Sequence, residues 1–184
     1  SFSIYVEKEF ILKINHELIK EEQVQMVTLD GFIHIKSKTL DTEVQRTFFA
    51  ASDAPAFITK IQISNHSPFE QKIEFHTPSC LFQEKPQNCD QDRPYQILSQ
   101  ICFDTFDSKI ENEMVQLILK PKQGICLYHV IACRYLDEQY TFSCAEQENK
   151  RLLFLNQMQQ QVELKTNHPV LDTMFYFAKI RVNE

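Results

Sequence analysis

One stretch of sequence is the best guide to the fold: Val44-Gln-Arg-Thr-Phe-Phe-Ala-Ala-Ser-Asp-Ala-Pro-Ala-Phe-Ile-Thr-Lys-Ile-Gln-Ile-Ser64. The runs 44–51 and 57–64 are rich in β-branched and aromatic residues, and in the second run apolar residues alternate with polar ones. Ser52-Asp-Ala-Pro55 separates the two runs and has the composition of a turn. The stretch therefore predicts two neighbouring strands joined by a short connection.

The same pattern extends in both directions from this pair of strands. Turns are predicted at Asp30-Gly31 and at Asn65-His-Ser-Pro68, and the polar segment Pro78–Pro94 is predicted as a long surface loop. Further strands are predicted at Phe2–Val6, Phe10–Ile14, Val24–Leu29, Phe32–Lys36, Lys72–His76, Tyr95–Phe103, Glu113–Leu119 and Ile125–Tyr135. Strands that follow one another without intervening helices indicate antiparallel pairing. About nine or ten strands in ~140 residues predict a mainly β fold, an antiparallel two-sheet sandwich.

Two helices are predicted after the strands. Ala145–Glu163 is amphipathic, and its predicted apolar face consists of Leu152, Leu155, Met158 and Val162. Pro169 suits the first position of a final helix, which Asn167 or His168 could cap. The apolar stripe of this final helix consists of Leu171, Met174, Phe175, Ala178 and Val182, and Val170, Phe177 and Ile180 widen it.

The final helix is too apolar to be covered on one side only. One interpretation is a C-terminal helix that docks on its own domain. We favour the other, in which the chain is cut from a longer protein. The expected organisation is then a β-sandwich domain at 1–140, a linker helix region at 141–166 and the beginning of a truncated helical domain at 167–184.

Composition excludes several classes of function. The net charge of −6 argues against a nucleic-acid partner. No apolar run approaches the ~20 residues of a membrane span, and no signal peptide is visible, so no membrane partner is expected.

The cysteines do not have the spacing of a metal site, because no Cys-x-x-Cys pair occurs. Cys102, Cys126 and Cys133 lie in strand-like runs, where a reduced cysteine behaves as a small apolar residue. Cys80 and Cys89 bracket a polar segment and could form a disulfide in an oxidising compartment, but free thiols are favoured.

Few residues are candidates for chemistry, and each has a structural interpretation that we favour. His34, His76 and His129 could meet as a metal site but are interpreted as unrelated strand residues.

Asp104 and Asp107 are interpreted as a strand end and its turn. For Arg46 we favour a structural ion pair over exposure to solvent. Asn65-His66-Ser67 matches a glycosylation acceptor but is interpreted as a plain turn. No metal, cofactor or catalytic residue is expected.

Two segments resemble parts of carbohydrate-active enzymes. Gln45–Ser67 resembles a segment in which an arginine-containing strand and a sandwich strand ending in Asn-x-Ser precede a catalytic helical barrel. Asn167–Arg181 is similar to the entry helix of six-hairpin, (α/α)6-barrel glycosidases. Together they resemble the N-terminal supersandwich domain of a bacterial, Bacteroides-like glycoside hydrolase.

The resemblance implies a non-catalytic sandwich domain that packs on the catalytic helical domain of the same chain. The barrel supplies the catalytic carboxylates of that family, so no position here inherits a catalytic role. An oligosaccharide or polysaccharide is the implied substrate class, and a periplasmic or extracytoplasmic location is implied. The loop Pro78–Pro94 is a candidate contributor to the substrate cleft, although a loop without a role is favoured.

Two other functions remain open at this point. One is a free-standing carbohydrate-binding module, which would need exposed aromatic side chains on a concave face. The chain contains no tryptophan, but Tyr95, Tyr128 and Tyr135 are available. The other is a complete small enzyme, which would need a pocket with convergent polar groups.

Overall fold

The computed structural model describes residues 11–19, 22–83, 93–110, 114–161 and 165–183. Its strands are β1 (Ile11–Ile14), β2 (Glu17–Leu18), β3 (Gln23–Leu29), β4 (Ile33–Thr39), β5 (Thr42–Ala50), β6 (Ala56–Asn65), β7 (Gln71–His76), β8 (Cys80–Gln83), β9 (Tyr95–Cys102), β10 (Thr105–Asp107), β11 (Met114–Leu119), β12 (Gly124–Tyr135) and β13 (Thr141–Ser143). Two helices follow, α1 (Cys144–Gln160) and α2 (Pro169–Asn183).

The strands form antiparallel sheets. The large sheet has seven strands in the order β3-β4-β5-β6-β12-β9-β8, and the small sheet has four in the order β11-β7-β1-β2. Strands β10 and β13 form a separate two-stranded ribbon. The prediction of a mainly β, antiparallel two-sheet sandwich followed by C-terminal helices is therefore confirmed.

The central strands of the large sheet contribute side chains to a core on each of its faces, because side chains alternate along each strand. Strand β3 is exposed along its length. In β6, Ile61 and Ile63 belong to the core between the two sheets, whereas Ile58 belongs to the core beneath the helices. In β12, Leu127 lies in the inter-sheet core and Val130 in the core beneath the helices. The molecule thus has three layers: the small sheet, the large sheet and the helices.

The beginning of α1 is capped by two side chains, one at the end of β13 and one between β9 and β10. Ser143 is the N-cap, and its Oγ accepts a hydrogen bond of 3.1 Å from the Glu146 backbone N–H. Asp104 Oδ1 accepts hydrogen bonds from Ser143 Oγ at 3.0 Å and from the Ala145 backbone N–H at 2.9 Å. These contacts fix the direction in which the chain leaves the ribbon and crosses the large sheet.

Several local predictions need correction. The predicted loop Pro78–Pro94 contains strand β8, which pairs with β9 and forms the edge of the large sheet. The ribbon strands β10 and β13 were not predicted, because a three-residue strand carries too little periodicity to be recognised. In α1, Leu155 and Met158 are buried as predicted, but Leu152 is exposed. The predicted strand Phe2–Val6, most of the loop and Val162 lie outside the described residues.

Candidate interaction surface

The three strand histidines lie apart. His34 Nδ1 is 3.0 Å from Thr47 Oγ1, His76 Nε2 is 3.8 Å from a Glu74 carboxylate oxygen, and His129 lies on β12. Within the described part of the chain, no group of three or more histidine, cysteine or acidic side chains could hold a metal ion. The structure places these histidines on three different strands, β4, β7 and β12.

His129 belongs to a buried polar cluster between the two sheets. Its Nε2 is 2.8 Å from Ser99 Oγ, and Ser99 Oγ also hydrogen-bonds to Thr77 Oγ1. A serine and a histidine at this distance have the chemical types of a nucleophile and its base. However, Ser99 is only 2% exposed and Thr77 is buried as well, so no substrate can approach the hydroxyl. The cluster therefore links β9 and β12 to the segment that follows β7.

Burial lowers the pKa of His129 from 6.5 to about 4. The folded protein therefore keeps this imidazole neutral at pH values where the unfolded chain is already protonated. Because the unfolded state binds more protons between pH 6.5 and 4, the free energy of unfolding should fall by about 2–3 kcal/mol over this interval as the pH drops. In His129→Gln that pH dependence should be smaller, as measured by urea denaturation at several pH values.

The control for this prediction is His66→Gln, because His66 is exposed in a turn. This variant should keep the pH dependence of the unmodified chain. A His129→Gln protein whose stability falls as steeply as that of the unmodified chain would show that His129 is protonated equally in both states.

A second polar cluster lies beneath α1. Lys60 Nζ donates to both carboxylate oxygens of Glu148 at 2.8 and 2.9 Å, and the Tyr128 hydroxyl lies 3.5 Å from the same carboxylate. Lys60 and Tyr128 are direct partners across β6 and β12. Burial raises the pKa of Tyr128, so its hydroxyl stays protonated. The cluster anchors α1 on the large sheet.

Arg46 forms the structural ion pair that we favoured. Its two terminal nitrogens donate to the two carboxylate oxygens of Glu22, each at 2.5 Å. Burial opposes ionisation of Glu22, but hydrogen bonds from Arg46 and Ser37 outweigh it and lower the pKa of the carboxyl. The pair ties the segment that enters β3 to the middle of β5.

Asp104 and Asp107 are likewise structural. Asp104 follows β9 and caps α1, as described above. Asp107 ends β10, and its Oδ1 accepts a hydrogen bond of 2.9 Å from the Lys109 backbone N–H. The interpretation of these residues as a strand end and a turn is correct, with the addition that a short strand lies between them.

Asn65 is a buried structural residue. Its side-chain amide donates to three carbonyl oxygens, those of Phe69 at 2.8 Å, Leu119 at 3.0 Å and Lys120 at 3.2 Å. Its Oδ1 accepts from the Ser67 backbone N–H at 2.9 Å. Since the side chain is 0% exposed, the folded protein cannot present Asn65 as a glycosylation acceptor. The interpretation of this motif as a turn is confirmed.

The three tyrosines considered as surfaces on which a sugar could stack are each in contact with other parts of the protein. Tyr128 is buried beneath α1. The Tyr95 ring lies 5.6 Å from that of Phe82, and the Arg93 guanidinium lies 4.2 Å from the centre of the Tyr135 ring. None of these contacts indicates a sugar, so carbohydrate binding stays a prediction.

Helix α2 docks on the domain through one face. Ile180 is 3% exposed and lies in the core beneath the helices, with Tyr176 and Phe177 packed against that core. Lys179 Nζ donates to the Met158 carbonyl of α1 at 2.6 Å, which ties the two helices together. This docked face differs from the predicted apolar stripe.

The opposite face of α2 is apolar and exposed. We call it the outer stripe; its residues are Leu171, Met174, Ala178 and Val182. Leu171 is 50% exposed, Met174 62% and Val182 85%. Spacings of three and four residues place these side chains on one side of a helix. Helix α2 thus has two apolar faces, only one of which the domain covers.

An apolar groove runs beside α2. It has a volume of about 470 Å³ and lies between the helix and the β3–β6 part of the large sheet. Phe177 and Ile180 line one wall, and Arg151 and Arg181 bring positive charge to it. Arg181 lies one and two helical turns from Ala178 and Met174, so the groove is adjacent to the outer stripe.

The described helices include none that is long and apolar enough to cross a membrane. In comparisons with known proteins, no family model and no curated protein matches the chain. The structure therefore defines a class by its architecture alone: a two-sheet antiparallel β-sandwich with two helices packed on its large sheet.

Proposed function

We propose that this chain is a non-catalytic β-sandwich domain that docks through the outer stripe of α2 on a helical unit. The observation that carries the proposal is that α2 has a second apolar face while its first face is already docked. In water, an exposed apolar face of this kind is typical of a protein–protein contact.

A helix is the occupant that best fits the outer stripe. Side chains at spacings of three and four residues form ridges, which fit into the grooves of another helix. The arginines of the adjacent groove favour acidic side chains at the edge of that partner. The narrower form of the proposal follows the sequence resemblance: the helical unit is the (α/α)6 catalytic barrel of a glycoside hydrolase, which acts on an oligosaccharide or polysaccharide.

The roles of the polar side chains are consistent with a non-catalytic domain. The Ser99–His129 pair is closed to substrate, Asp104 caps a helix, and Arg46 is held in an ion pair. Each of these side chains forms a hydrogen bond or an ion pair with another residue of the domain.

The first test is to read the coding sequence that flanks residues 1–184. We expect a series of amphipathic helices directly after α2. A stop codon immediately after codon 184 would overturn the barrel form of the proposal. Specific binding on a glycan array by the 184-residue chain would instead favour a carbohydrate-binding module.

The second test is the double variant Leu171→Glu/Met174→Glu. We expect its stability to stay within about 0.5 kcal/mol of the unmodified chain, because both side chains are exposed. When the flanking helical segment is co-expressed as a separate chain, the variant should bind it at least ~100-fold more weakly, since two charges would be buried without partners. Titration calorimetry measures this difference.

The matched control is Asn156→Glu/Gln160→Glu, which adds the same charge to exposed positions of α1. It should bind the helical segment as the unmodified chain does. Equal binding by the outer-stripe variant and this control would place the interface elsewhere.

A further inference from the structure

Cys102 and Cys144 are in sulfur–sulfur contact. Their Sγ atoms are 3.9 Å apart, although the residues are separated by 42 positions in sequence. Cys102 ends β9 and Cys144 is the first residue of α1, so the contact joins the large sheet to the helical layer. Both cysteines are free thiols in the structure.

The backbone near the two sulfurs is held in place. The Cys144 backbone N–H donates to the Asp104 carbonyl at 2.9 Å, and Thr105 pairs with Ser143 across the β10–β13 ribbon. A disulfide needs an S–S distance of about 2 Å. Since the two chain segments are already neighbours, the remaining ~2 Å requires side-chain rotation and a small backbone adjustment rather than a rearrangement of the fold.

We propose that Cys102 and Cys144 are a covalent modification site, at which a disulfide oxidant forms an intramolecular disulfide that cross-links the end of β9 to the start of α1. The other described cysteines differ: Cys80 is exposed, and Cys126 and Cys133 lie on β12. The cross-link would close a loop that contains the β10–β13 ribbon and would fix α1 on the large sheet.

The two thiols have different roles in the reaction. Cys102 is partly exposed, whereas Cys144 is fully buried. The hydrogen bond to Cys102 and burial raise the pKa of the Cys144 thiol, which disfavours its attack on an external oxidant. Cys102 is therefore the thiol that reacts first.

With oxidised glutathione as the oxidant, the reaction balances in two steps. The Cys102 thiolate attacks one sulfur of glutathione disulfide, the S–S bond of the oxidant breaks, and one glutathione thiolate leaves. Cys144 then attacks Cys102 Sγ, the second glutathione thiolate leaves, and the Cys144 proton passes to that departing thiolate. Two protein thiols are oxidised to one disulfide, and one glutathione disulfide is reduced to two glutathione molecules.

The test is to incubate the 184-residue chain with excess oxidised glutathione, to alkylate the remaining thiols and to map the peptides by mass spectrometry. We expect a peptide that links Cys102 to Cys144. The melting temperature should rise on the order of 10 °C, because the cross-link constrains the unfolded chain. The rise should disappear after reduction with dithiothreitol.

Three variants sharpen the result. Cys80→Ser removes the exposed Cys80 thiol and should leave the 102–144 link intact, as should Cys126→Ser. Cys102→Ser should remove both the link and the rise in melting temperature. If this variant does not fold, the peptide map of Cys80→Ser decides alone. A Cys102 that stays free, or that ends as a lasting glutathione adduct while Cys144 stays reduced, would overturn the proposal.

Discussion

Replacing Asn65 with alanine should lower the free energy of unfolding by about 2–4 kcal/mol. The side chain is fully buried; its amide NH₂ group is shared among three carbonyl oxygens, and its Oδ1 accepts from a backbone N–H. Alanine would remove these hydrogen bonds from all four backbone groups, and of the three carbonyls that of Phe69 would keep the hydrogen bond from Ser67 Oγ. The carbonyls belong to two separate chain segments, around Phe69 and around Lys120, so the substitution also loosens the contact between two turns.

Urea denaturation measures this effect, and Asn156→Ala is the matched control. Asn156 is exposed on α1, so its replacement should change stability by no more than about 0.5 kcal/mol. Asn65→Asp should cost at least as much as Asn65→Ala, because a carboxylate would face the three carbonyl oxygens. An Asn65→Ala protein as stable as the Asn156→Ala control would mean that the turn relaxes and water replaces the lost hydrogen bonds.

Replacing Ile180 with alanine should cost about 2–4 kcal/mol, whereas Val182→Ala should cost no more than about 0.5 kcal/mol. The two residues are two positions apart on α2, but Ile180 is 3% exposed and Val182 is 85% exposed. Ile180 packs in the core beneath the helices with Phe49 and Leu155, and a smaller side chain would leave a cavity there. Val182 lies on the outer stripe.

Hydrogen exchange of α2 and urea denaturation together measure this pair of variants. The loss at Ile180 should appear first as faster exchange across 169–183 and then as lower global stability. If Val182→Ala is the more damaging variant, then α2 docks through the outer stripe, and the interaction surface proposed here is the wrong face of the helix.

The docking of α2 shows what the sequence pattern does not determine, namely which face of a helix packs on the domain. The stripe through Leu171, Met174 and Val182 is the clearest helical pattern near the end of the chain, and it predicted a helix correctly. The structure docks the other face, through Phe177 and Ile180. Periodicity identifies which residues share a side of a helix. When both sides are apolar, it does not identify which side meets the sheet.

The polar clusters likewise depend on contacts that the sequence pattern does not predict. The sequence predicted only that His129 lies on a strand, and the structure places its Nε2 2.8 Å from Ser99 Oγ. No sequence pattern identified Ser99 as a partner of His129, because serine is common in strands. Its contact with His129 depends on the antiparallel register of β9 and β12, which cross-strand packing decides.

The sequence by itself determined that this protein is mainly β, that its sheets are antiparallel and that two helices follow them. Alternating side chains, turn residues and helical spacing are local properties, and each is set by the backbone geometry of a few neighbouring residues. Only the tertiary structure decided the order of strands in the large sheet, the contact of Cys102 with Cys144 and the exposed face of α2. These features join residues far apart in the chain, so they depend on how whole faces of the sheets and helices pack against one another.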